Sequence, residues 1–519
     1  MKTKISVLAT LLFILAGSIF LRLYKIGDKP AWYDETVSIS HAEKPSSFYL
    51  SSTQVNYKPV YFFLLNLWLT LFGEDVFSLR FFSLLWGILN IILIFKLVRL
   101  LFDEETGLLS AFFLGISVFH IFQCQQIRQF SFIALLATAS IYYLAKFYKT
   151  GRTFNISILS SINILLINTY PTGFFVVLAE GIFVAIYLRG IMIRKWIFSC
   201  IPLVLFAVRW FFITDKAHMK ELVWWIRKPG MGSILETFNT LCWGGPRYGL
   251  DDFMIFLPRP WLVLVLSLIY LILIALSYSN AKAALKKDGN RGISLLFLWL
   301  MVPVLASYFI SRVCNFSIYA IKHLIIVLPA FCTLVASGFL RFNTKTKAVI
   351  IFSISVMNLA PLSVMYNNYF PSDWKTSTEY VSRSIQEGDA VVISSLSEVI
   401  TFMYYFDKKK HSLRDIDIYG RITKGSYKNN IFLGPNNTLI IGIKQAGFDD
   451  KHISSKNDFE DKVINNPLLN DKRSVWVMLS RWADSDVKAY MVSYFDSHLM
   501  RESAKEFQGV AVYHYENHR

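Results

Sequence analysis

The chain has 519 residues, of which 54% are hydrophobic and 17% charged, and it carries a formal net charge of +17. Soluble proteins average about 25% charged residues, and the deficit here lies in long apolar runs, which excludes a soluble globular protein and predicts a polytopic membrane protein. The first 370 residues hold 33 basic and 16 acidic residues, and the rest hold 20 of each. Basic residues between apolar runs set membrane topology, so we expect no nucleic-acid partner.

Eleven apolar runs have about the length needed to cross a hydrocarbon core of about 30 Å as a helix. The first follows Lys2 and Lys4, and because no small-residue cleavage site comes after it, it is interpreted as a retained span rather than a signal peptide. The runs at 107–123 and 154–169 are short. The predicted spans are residues 5–24, 78–101, 107–123, 130–147, 154–169, 172–189, 196–214, 261–279, 293–311, 319–340 and 346–366.

The charges between these runs predict which side of the membrane each connection occupies. With a cytoplasmic N-terminus, six short segments lie inside and hold 17 basic against four acidic residues, as the positive-inside rule expects. The long connections at 25–77 and 215–260 and the residues from 371 onward then lie outside. We therefore expect a multi-pass protein of the plasma membrane (the bacterial inner membrane), with its active site and C-terminal domain extracytoplasmic.

The outer segments have their own patterns. The apolar run 60–72, at about 13 residues, is too short to cross and predicts a helix in the membrane interface. The tryptophans of 215–260 favour the headgroup level. After residue 366, β-like runs at 390–394, 438–443, 475–479 and 509–514 alternate with helical patterns at 376–386 and 486–496, which predicts a small α/β domain. The predicted domains are thus 1–370, in the membrane, and 371–519, outside it.

Two adjacent carboxylates, Asp34 and Glu35, follow the first apolar run within Trp32-Tyr33-Asp34-Glu35. Charge near hydrocarbon is costly and is commonly kept for function, and a carboxylate shielded by protein can act as a general base. The alternative is an exposed acidic pair in a polar loop. The pair could also hold a divalent cation (Mg²⁺ or Mn²⁺), but no further ligand stands out, and we expect that no cofactor is required.

Four cationic side chains at predicted outer ends of apolar runs are candidates for binding a phosphate. Lys58 precedes Pro59 at the start of the 60–72 run, where a helix N-terminus and an adjacent lysine favour an anion. Arg128 lies in a polar cluster between two spans, and Arg80 and Lys322 lie near the starts of others. The structural alternatives are snorkelling lysines and arginines in structural ion pairs. Polar neighbours that could bind substrate are Tyr57, Gln126 and His323.

Taken in order, these motifs resemble the GT-C glycosyltransferases, and among them the family 39-like enzymes, which include protein O-mannosyltransferases and the lipid A aminoarabinose transferase. The detailed resemblance covers about residues 5–190. It implies a GT-C fold with about eleven transmembrane helices, interfacial helices in the first outer loop and a small C-terminal α/β extracytoplasmic domain. The matching elements are Trp32-Tyr33-Asp34-Glu35, Lys58-Pro59 with Tyr61, Leu71-Phe72-Gly73 with Leu79-Arg80, Gln126-Ile127-Arg128 and, more loosely, Thr169 with Gly173 and Lys322-His323-Leu324.

The resemblance also implies a reaction. A sugar carried on a polyprenyl phosphate would be transferred, with inversion, to a lipid, glycan or protein acceptor outside the membrane. Asp34 maps to the carboxylate at the acceptor, and Lys58 to the lysine at the donor phosphate. Tyr57 stands where the aminoarabinose transferase has an acid, Gln126 where many relatives have Glu, and Tyr170 where many have His. These departures concern the acceptor class more than the reaction.

Two other functions stay open. A transporter or flippase for a lipid-linked or anionic substrate would place ionisable residues within its spans, whereas here Glu180 is the main mid-span charge. A GT-C-like ligase that transfers whole oligosaccharides would share the same motifs. The distribution of charge at the ends of spans favours surface chemistry, and hence an inverting glycosyltransferase that uses a polyprenyl-phosphate sugar and works among membrane lipids.

Overall fold

The computed structural model describes residues 2–44, 59–213, 226–244, 260–283, 287–367, 372–406, 431–433, 438–443, 456–470, 472–481 and 483–517. The contacts within the chain define two compact units. The first comprises Met1–Ile26, Tyr49–Leu64 and Phe77–Tyr369, and the second Gly27–Phe48, Leu65–Val76 and Phe370–Arg519. Parts of the connection at 25–77 therefore group with the C-terminal residues. The division into domains at residue 370 stays a prediction.

A helical segment lies at every apolar run named above. Backbone polar groups cannot bond to water inside a bilayer, so an apolar run satisfies them internally by forming a helix. A 3₁₀ turn, Ile321–Val327, leads into α14. The helices are α1 (Lys2–Leu23), α2 (Tyr33–Ala42), α3 (Pro59–Phe72), α4 (Val76–Leu101), α5 (Glu104–Ile116), α6 (Val118–Cys124), α7 (Phe130–Thr150), α8 (Thr153–Thr169), α9 (Gly173–Tyr187), α10 (Ile191–Ile213), α11 (Ser233–Trp243), α12 (Pro260–Ala283), α13 (Lys287–Val313), α14 (Leu328–Gly338) and α15 (Thr344–Asn367).

The protein is a multi-span membrane protein. Within the described residues, six helices are long and apolar enough to cross a bilayer, or seven if the bent pair α5–α6 is one span. The helix at 60–72 is present as α3, whereas its place in the interface stays a prediction. The polytopic class is confirmed, and the count of eleven spans stays a prediction.

The predicted span at 107–123 is bent by 61° between α5 and α6. A helix break leaves carbonyl groups without partners, which is costly away from water. Arg22, fully buried in α1, meets this need: its guanidinium donates to the carbonyl oxygens of Gly115 at 2.8 Å and Leu114 at 3.2 Å. It also lies 2.7 Å from Nδ1 of His120 on α6. Arg22 therefore holds both sides of the bend.

Glu180, the mid-span acid of α9, is fully buried and bonded to its neighbours. Its carboxylate accepts a hydrogen bond from Nδ2 of Asn163 on α8 at 2.8 Å and another from the hydroxyl of Ser140 on α7. Ser140 also contacts Asn163. Polar side chains in the apolar interior commonly join helices in this way, so Glu180 ties three helices together.

The C-terminal part is a small α/β fold around a six-stranded mixed sheet in the order β2-β3-β1-β4-β6-β5. Strands β1, β3 and β4 pair in parallel, and the other pairs are antiparallel. A 3₁₀ turn, Leu396–Glu398, precedes α17. The elements are α16 (Trp374–Ser384), β1 (Ala390–Ile393), α17 (Val399–Phe406), β2 (Ile431–Leu433), β3 (Leu439–Gly442), α18 (Pro467–Asn470), β4 (Ser474–Ser480), α19 (Ser485–His498), β5 (Met500–Phe507) and β6 (Val510–Glu516).

The predicted α/β composition is confirmed, because each β-like run and helical pattern lies on a strand or helix of that type. The central strands β1, β3 and β4 are buried along their whole length. The edge strand β5 was not predicted. Its side chains are exposed or half-buried, and a polar edge strand has no apolar alternation to reveal it.

Candidate active site

The acidic pair lies in the first turn of α2, which begins at Tyr33. The backbone N–H of Trp32 donates to Oε2 of Glu35 at 3.4 Å, the contact by which a glutamate three residues into a helix satisfies a backbone donor before it. Glu35 is fully buried, whereas Asp34 is half-buried. The helix N-terminus favours negative charge here. Glu35 thus has a structural role, and its catalytic role stays a prediction.

Helix α2 is fastened to other parts of the second unit. The hydroxyls of Thr36 and Thr401 lie 3.1 Å apart, which joins α2 to α17. From the same helix α17, the hydroxyl of Tyr405 donates to the carbonyl oxygen of Ala31 at 3.0 Å. At the other end, Nδ2 of Asn66 donates to the last carbonyl of α2 at 2.6 Å. These contacts fix the orientation of the turn that carries Asp34.

A third carboxyl, Glu398, lies at the start of α17 and was not predicted. It is 3% exposed. Burial and, to a smaller extent, the charge of Asp34 raise the pKa of Glu398 to about 8, against the opposing effect of the Thr401 side chain. One sequence signal could have found it, since Glu398 is the only charged residue between 390 and 406.

In the first unit, four of the predicted residues lie around the ring of Phe130. The guanidinium of Arg128 is 5.7 Å from the ring centroid and Nζ of Lys322 is 5.9 Å from it. The ring of His323 stacks on Phe130 at 6.0 Å, and that of Tyr170 meets it edge-on at 6.3 Å. Because both cations are buried, this aromatic cluster combines positive charge with exclusion of water, which suits a phosphate.

The loop between α6 and α7, which carries Arg128, is held in place by hydrogen bonds of Gln125 and Arg128. Gln125 donates through Nε2 to the carbonyl oxygens of Arg22 at 2.9 Å and Tyr24 at 2.8 Å. The backbone N–H of Arg128 donates to the carbonyl oxygen of the buried Gln126 at 2.8 Å. The loop is therefore held to the end of α1, and the position of Arg128 follows from that of the loop.

Gln129, in the same loop, was not singled out from the sequence. Its side chain is fully buried, and neither of its amide atoms has a hydrogen-bond partner among the described residues. Leaving a buried polar group unpaired costs about 1–3 kcal/mol, which is commonly a sign of a missing ligand or water. Its place between Arg128 and Phe130 makes it a further candidate for binding substrate.

Arg80 has a structural contact. Its Nη1 donates to the carbonyl oxygen of Ile26 at 2.8 Å, and its side chain is 4% exposed. This bond joins α4 to the residues that follow α1. A role for Arg80 at the donor phosphate stays a prediction.

Two predicted residues, Tyr57 and Lys58, lie outside the described residues. Asp34 and Glu35 belong to the second compact unit, whereas the residues around Phe130 belong to the first. In the part of the chain that the structure describes, no group of three or more His, Cys, Asp or Glu side chains is arranged to hold a metal ion. The five cysteines are free thiols.

Comparison with known proteins identifies a matching family. Residues 56–212 match the family model of dolichyl-phosphate-mannose-protein mannosyltransferases. This range includes the aromatic cluster residues of α7 and the loop before it. No curated protein matches the chain in sequence.

Solved structures share the architecture over nearly the whole chain. ArnT from Cupriavidus metallidurans in the apo state is 10% identical over 99% of this chain and 98% of its own, with a TM-score of 0.60. The same protein bound to undecaprenyl phosphate is 12% identical over the same shares, with a TM-score of 0.53. The archaeal oligosaccharyltransferase AglB from Archaeoglobus fulgidus, in complex with an inhibitory peptide and a dolichol-phosphate, is 11% identical over 98% of this chain and 74% of its own, with a TM-score of 0.51. At these identities the likeness concerns the fold.

Proposed function

We propose that the chain is a glycosyltransferase of the GT-C superfamily, which transfers a sugar from a polyprenyl phosphate to an acceptor at the outer face of the membrane. The match of residues 56–212 to the mannosyltransferase family model and the likeness of fold to ArnT support this proposal. The observation that carries the proposal is the pair of buried cations, Arg128 and Lys322, at the ring of Phe130. A polyprenyl-phosphate donor fits this cluster, and structures of the same fold have been determined with undecaprenyl phosphate and dolichol-phosphate.

The proposed reaction is a single displacement at the anomeric carbon. Asp34 accepts the proton of an acceptor hydroxyl or amine while that oxygen or nitrogen forms its bond to the sugar. The bond from the anomeric carbon to the phosphate oxygen breaks, and the electron pair leaves with the lipid phosphate. Arg128, Lys322 and, by sequence, Lys58 stabilise the charge that grows on this leaving group. The configuration of the anomeric carbon inverts.

The remaining predicted residues have secondary roles in this proposal. His323 and Tyr170 form a hydrogen-bonded wall beside Phe130, and Gln126, Gln129 and Tyr57 are candidates for contacts with sugar or acceptor. Glu35 keeps the start of α2 in shape. A divalent cation, Mg²⁺ or Mn²⁺, would be held by Asp34 and Glu35 if one takes part, and we propose that none is required.

The transferase proposal is favoured over a transporter because Glu180, the main mid-span charge, is buried and bonded to Ser140 and Asn163, which gives it a structural role. The ligase alternative has one observation in its favour, which is the likeness of fold to AglB. The two enzyme functions differ in the donor, a single sugar against an oligosaccharide.

The test uses the purified full-length protein in lipid nanodiscs. Undecaprenyl-phosphate and dolichol-phosphate monosaccharides, radiolabelled in the sugar, are offered with a membrane extract as acceptor source, and lipid-linked oligosaccharides are offered in parallel. We expect labelled product and released polyprenyl phosphate from a monosaccharide donor. Turnover of only oligosaccharide donors would support the ligase. Passage of the intact donor across sealed vesicles without sugar transfer would support the transporter.

A further inference from the structure

Two side chains of α17 reach the helix that carries Asp34, one on each side of the carboxylate in sequence. The hydroxyl of Tyr405 donates to the carbonyl oxygen of Ala31, before Asp34, at 3.0 Å. The hydroxyl of Thr401, one turn earlier on α17, lies 3.1 Å from that of Thr36, after Asp34. All of these residues belong to the second compact unit. Helix α17 therefore holds the start of α2 at two points.

The direction of the bond between the two threonines follows from their protons, because each hydroxyl has one proton to donate. Thr36 donates its proton to the carbonyl oxygen of Tyr33 at 3.0 Å, and a carbonyl can only accept. The Thr36 hydroxyl therefore accepts from Thr401. Both threonines are fully buried, where a hydrogen bond is stronger than in water. The two bonds run in series from α17 to the backbone beside Asp34.

Helix α17 is itself fixed to the sheet of the C-terminal part. The residues that lead from β1 into the helix bond to the two neighbouring strands of the sheet. The backbone N–H of Ser394 donates to the carbonyl oxygen of Met478 at 3.0 Å, and that of Leu396 donates to the carbonyl oxygen of Ile443 at 2.7 Å. The start of α17 thus has a defined position on the sheet.

The start of α17 also packs closely against β3, and this packing depends on a glycine. A Cβ at Gly442 would lie 2.7 Å from side-chain atoms of both Leu396 and Val399. That distance is well inside the separation of about 3.5–4.0 Å at which carbon atoms attract one another. Because position 442 has no side chain, the helix can lie directly against the strand, and the sheet supports the side chains that hold α2.

We propose that Thr401 and Tyr405 are positioning residues, which orient the first turn of α2 so that Asp34 is aligned with the acceptor. The inference rests on the proposed function of Asp34 as the general base. Neither side chain touches substrate in this role, because each acts through the backbone of α2. Since a misplacement of about 1 Å can lower a rate by about 100-fold, the folded C-terminal part becomes a requirement for catalysis.

The test measures steady-state transfer by the full-length protein in nanodiscs, with an undecaprenyl-phosphate sugar as the varied donor and a membrane extract as acceptor source. Thr401→Val should lower kcat about tenfold and Tyr405→Phe about three- to tenfold. The donor KM should stay unchanged in both, because the base and not the donor is displaced. Thr401→Ser keeps the hydroxyl and should retain kcat within about threefold of the wild type.

A double-mutant cycle tests whether the two threonines act in series. Thr36→Val should lower kcat at least as much as Thr401→Val, because it also removes the bond to the Tyr33 carbonyl. Adding Thr401→Val to Thr36→Val should then cause no further loss, since the effects of residues in one hydrogen-bonded chain do not add. Independent, multiplying losses would contradict the bond that joins α17 to Thr36.

The matched control is Thr378→Val on α16. Thr378 is fully buried like Thr401, but its hydroxyl has no hydrogen-bond partner among the described residues. The same substitution there removes a hydroxyl without breaking a bond, and replacing an unpaired buried polar group by an apolar one is not costly. Thr378→Val should therefore keep the wild-type kcat and donor KM, and a loss equal to that of Thr401→Val would overturn the inference.

Hydrogen exchange without substrate separates this inference from the proposed function. The amides of Glu35 and Thr36 donate to the carbonyl oxygen of Trp32 at 2.8 and 3.0 Å, and their exchange reports local opening of this turn. It should be about tenfold faster in Thr401→Val and Tyr405→Phe than in the wild type and unchanged in Thr378→Val. Unchanged exchange in both variants would overturn the inference, as would unchanged kcat. If the wild type transfers no sugar, the proposed function fails, and exchange alone then decides whether α17 holds this turn.

Discussion

The hydroxyl of Tyr170 lies 2.6 Å from Nε2 of His323, although 153 residues of sequence separate them. The bond joins the end of α8 to the 3₁₀ turn that carries Lys322, and both rings pack against Phe130. Positions that the sequence suggests only as separate, looser motif matches thus belong to one aromatic cluster. The cluster fixes the turn of Lys322 relative to the loop of Arg128.

Removing that bond should disturb the cluster without dismantling it. We expect Tyr170→Phe to lower kcat/KM about three- to tenfold, because one hydrogen bond contributes about 1 kcal/mol. Tyr170→His, which introduces the residue many relatives carry, should retain more activity than Tyr170→Ala. Initial rates over a range of donor concentrations check this. Wild-type kinetics in Tyr170→Phe would show that the bond has no part in turnover.

The two cations at Phe130 should determine donor binding. We expect Arg128→Gln and Lys322→Gln each to raise the donor KM about tenfold or more, since a charge-assisted bond to phosphate contributes about 1.5–3 kcal/mol. Arg194→Gln, which changes the same charge at an exposed position of α10, is the control and should keep the wild-type KM. Binding of undecaprenyl phosphate alone, measured by thermal shift, should weaken in parallel. Unchanged donor affinity in both variants would show that the aromatic cluster does not bind the donor phosphate.

Asp34→Asn tests the base directly. We expect kcat to fall by about 10²- to 10⁴-fold, the usual contribution of a general base, with an unchanged melting temperature, because the side chain is half-buried and nearly isosteric. Glu35→Gln keeps an oxygen that can accept from Trp32 and should stay active, whereas Glu35→Ala should lose about 1 kcal/mol of stability with its helix-start contact. If Glu35→Gln were inactive while Asp34→Asn stayed active, the general base would be Glu35 rather than Asp34.

Most of the membrane fold can be predicted from the sequence, because long apolar runs leave a helix as the only way to satisfy the backbone. The bend at Ser117 could not be predicted from the sequence. It depends on Arg22, nearly a hundred residues earlier, which donates hydrogen bonds to the carbonyl oxygens that the helix break leaves without partners. The strand β5 escaped prediction because its side chains are exposed or half-buried, so that no apolar alternation marks it in the sequence. It forms a strand by pairing antiparallel with β6.

Some residues of the candidate site could likewise be predicted from the sequence, and others could not. Motif order picked out Asp34, Arg128 and Lys322, residues whose chemistry can be recognised without knowing their contacts. Glu398 was missed because its raised pKa depends on burial and on Asp34, more than 360 positions away in the sequence. The structural contact of Glu35 with Trp32 was also missed, although a glutamate three residues after a helix start is a recognisable local signal.

The neutral form of Glu398 also predicts how stability depends on pH. Its pKa is about 8 when folded, against about 4.3 in an unfolded chain, so the folded state binds a proton that the unfolded state releases. Its contribution is therefore fully present below about pH 4 and declines as pH rises towards 8. Glu398→Gln removes this dependence. We expect its melting temperature to exceed that of the wild type increasingly between about pH 5 and pH 8, and a constant difference over that range would contradict the assignment.

Arg22 should be essential to the bend between α5 and α6. Arg22→Met keeps the length and packing of the side chain but leaves the carbonyl oxygens of Leu114 and Gly115 without these donors, and each unpaired buried group costs about 1–3 kcal/mol. We expect a large fall in the melting temperature in nanodiscs. Arg22→Lys should give an intermediate fall, because one ammonium cannot reproduce the planar fork of bonds that the guanidinium makes.

The matched control for this loss is Arg99→Met. Arg99 is exposed at the end of α4, and its ion pair with Glu104, at 3.6 Å, is of the surface kind that contributes about 0–1 kcal/mol. The melting temperature of Arg99→Met should therefore stay close to that of the wild type. Because Gln125 bonds to the carbonyl of Arg22, Arg22→Met should also raise the donor KM through the loop of Arg128. Equal melting temperatures for Arg22→Met and Arg99→Met would show that the bend is held by packing alone.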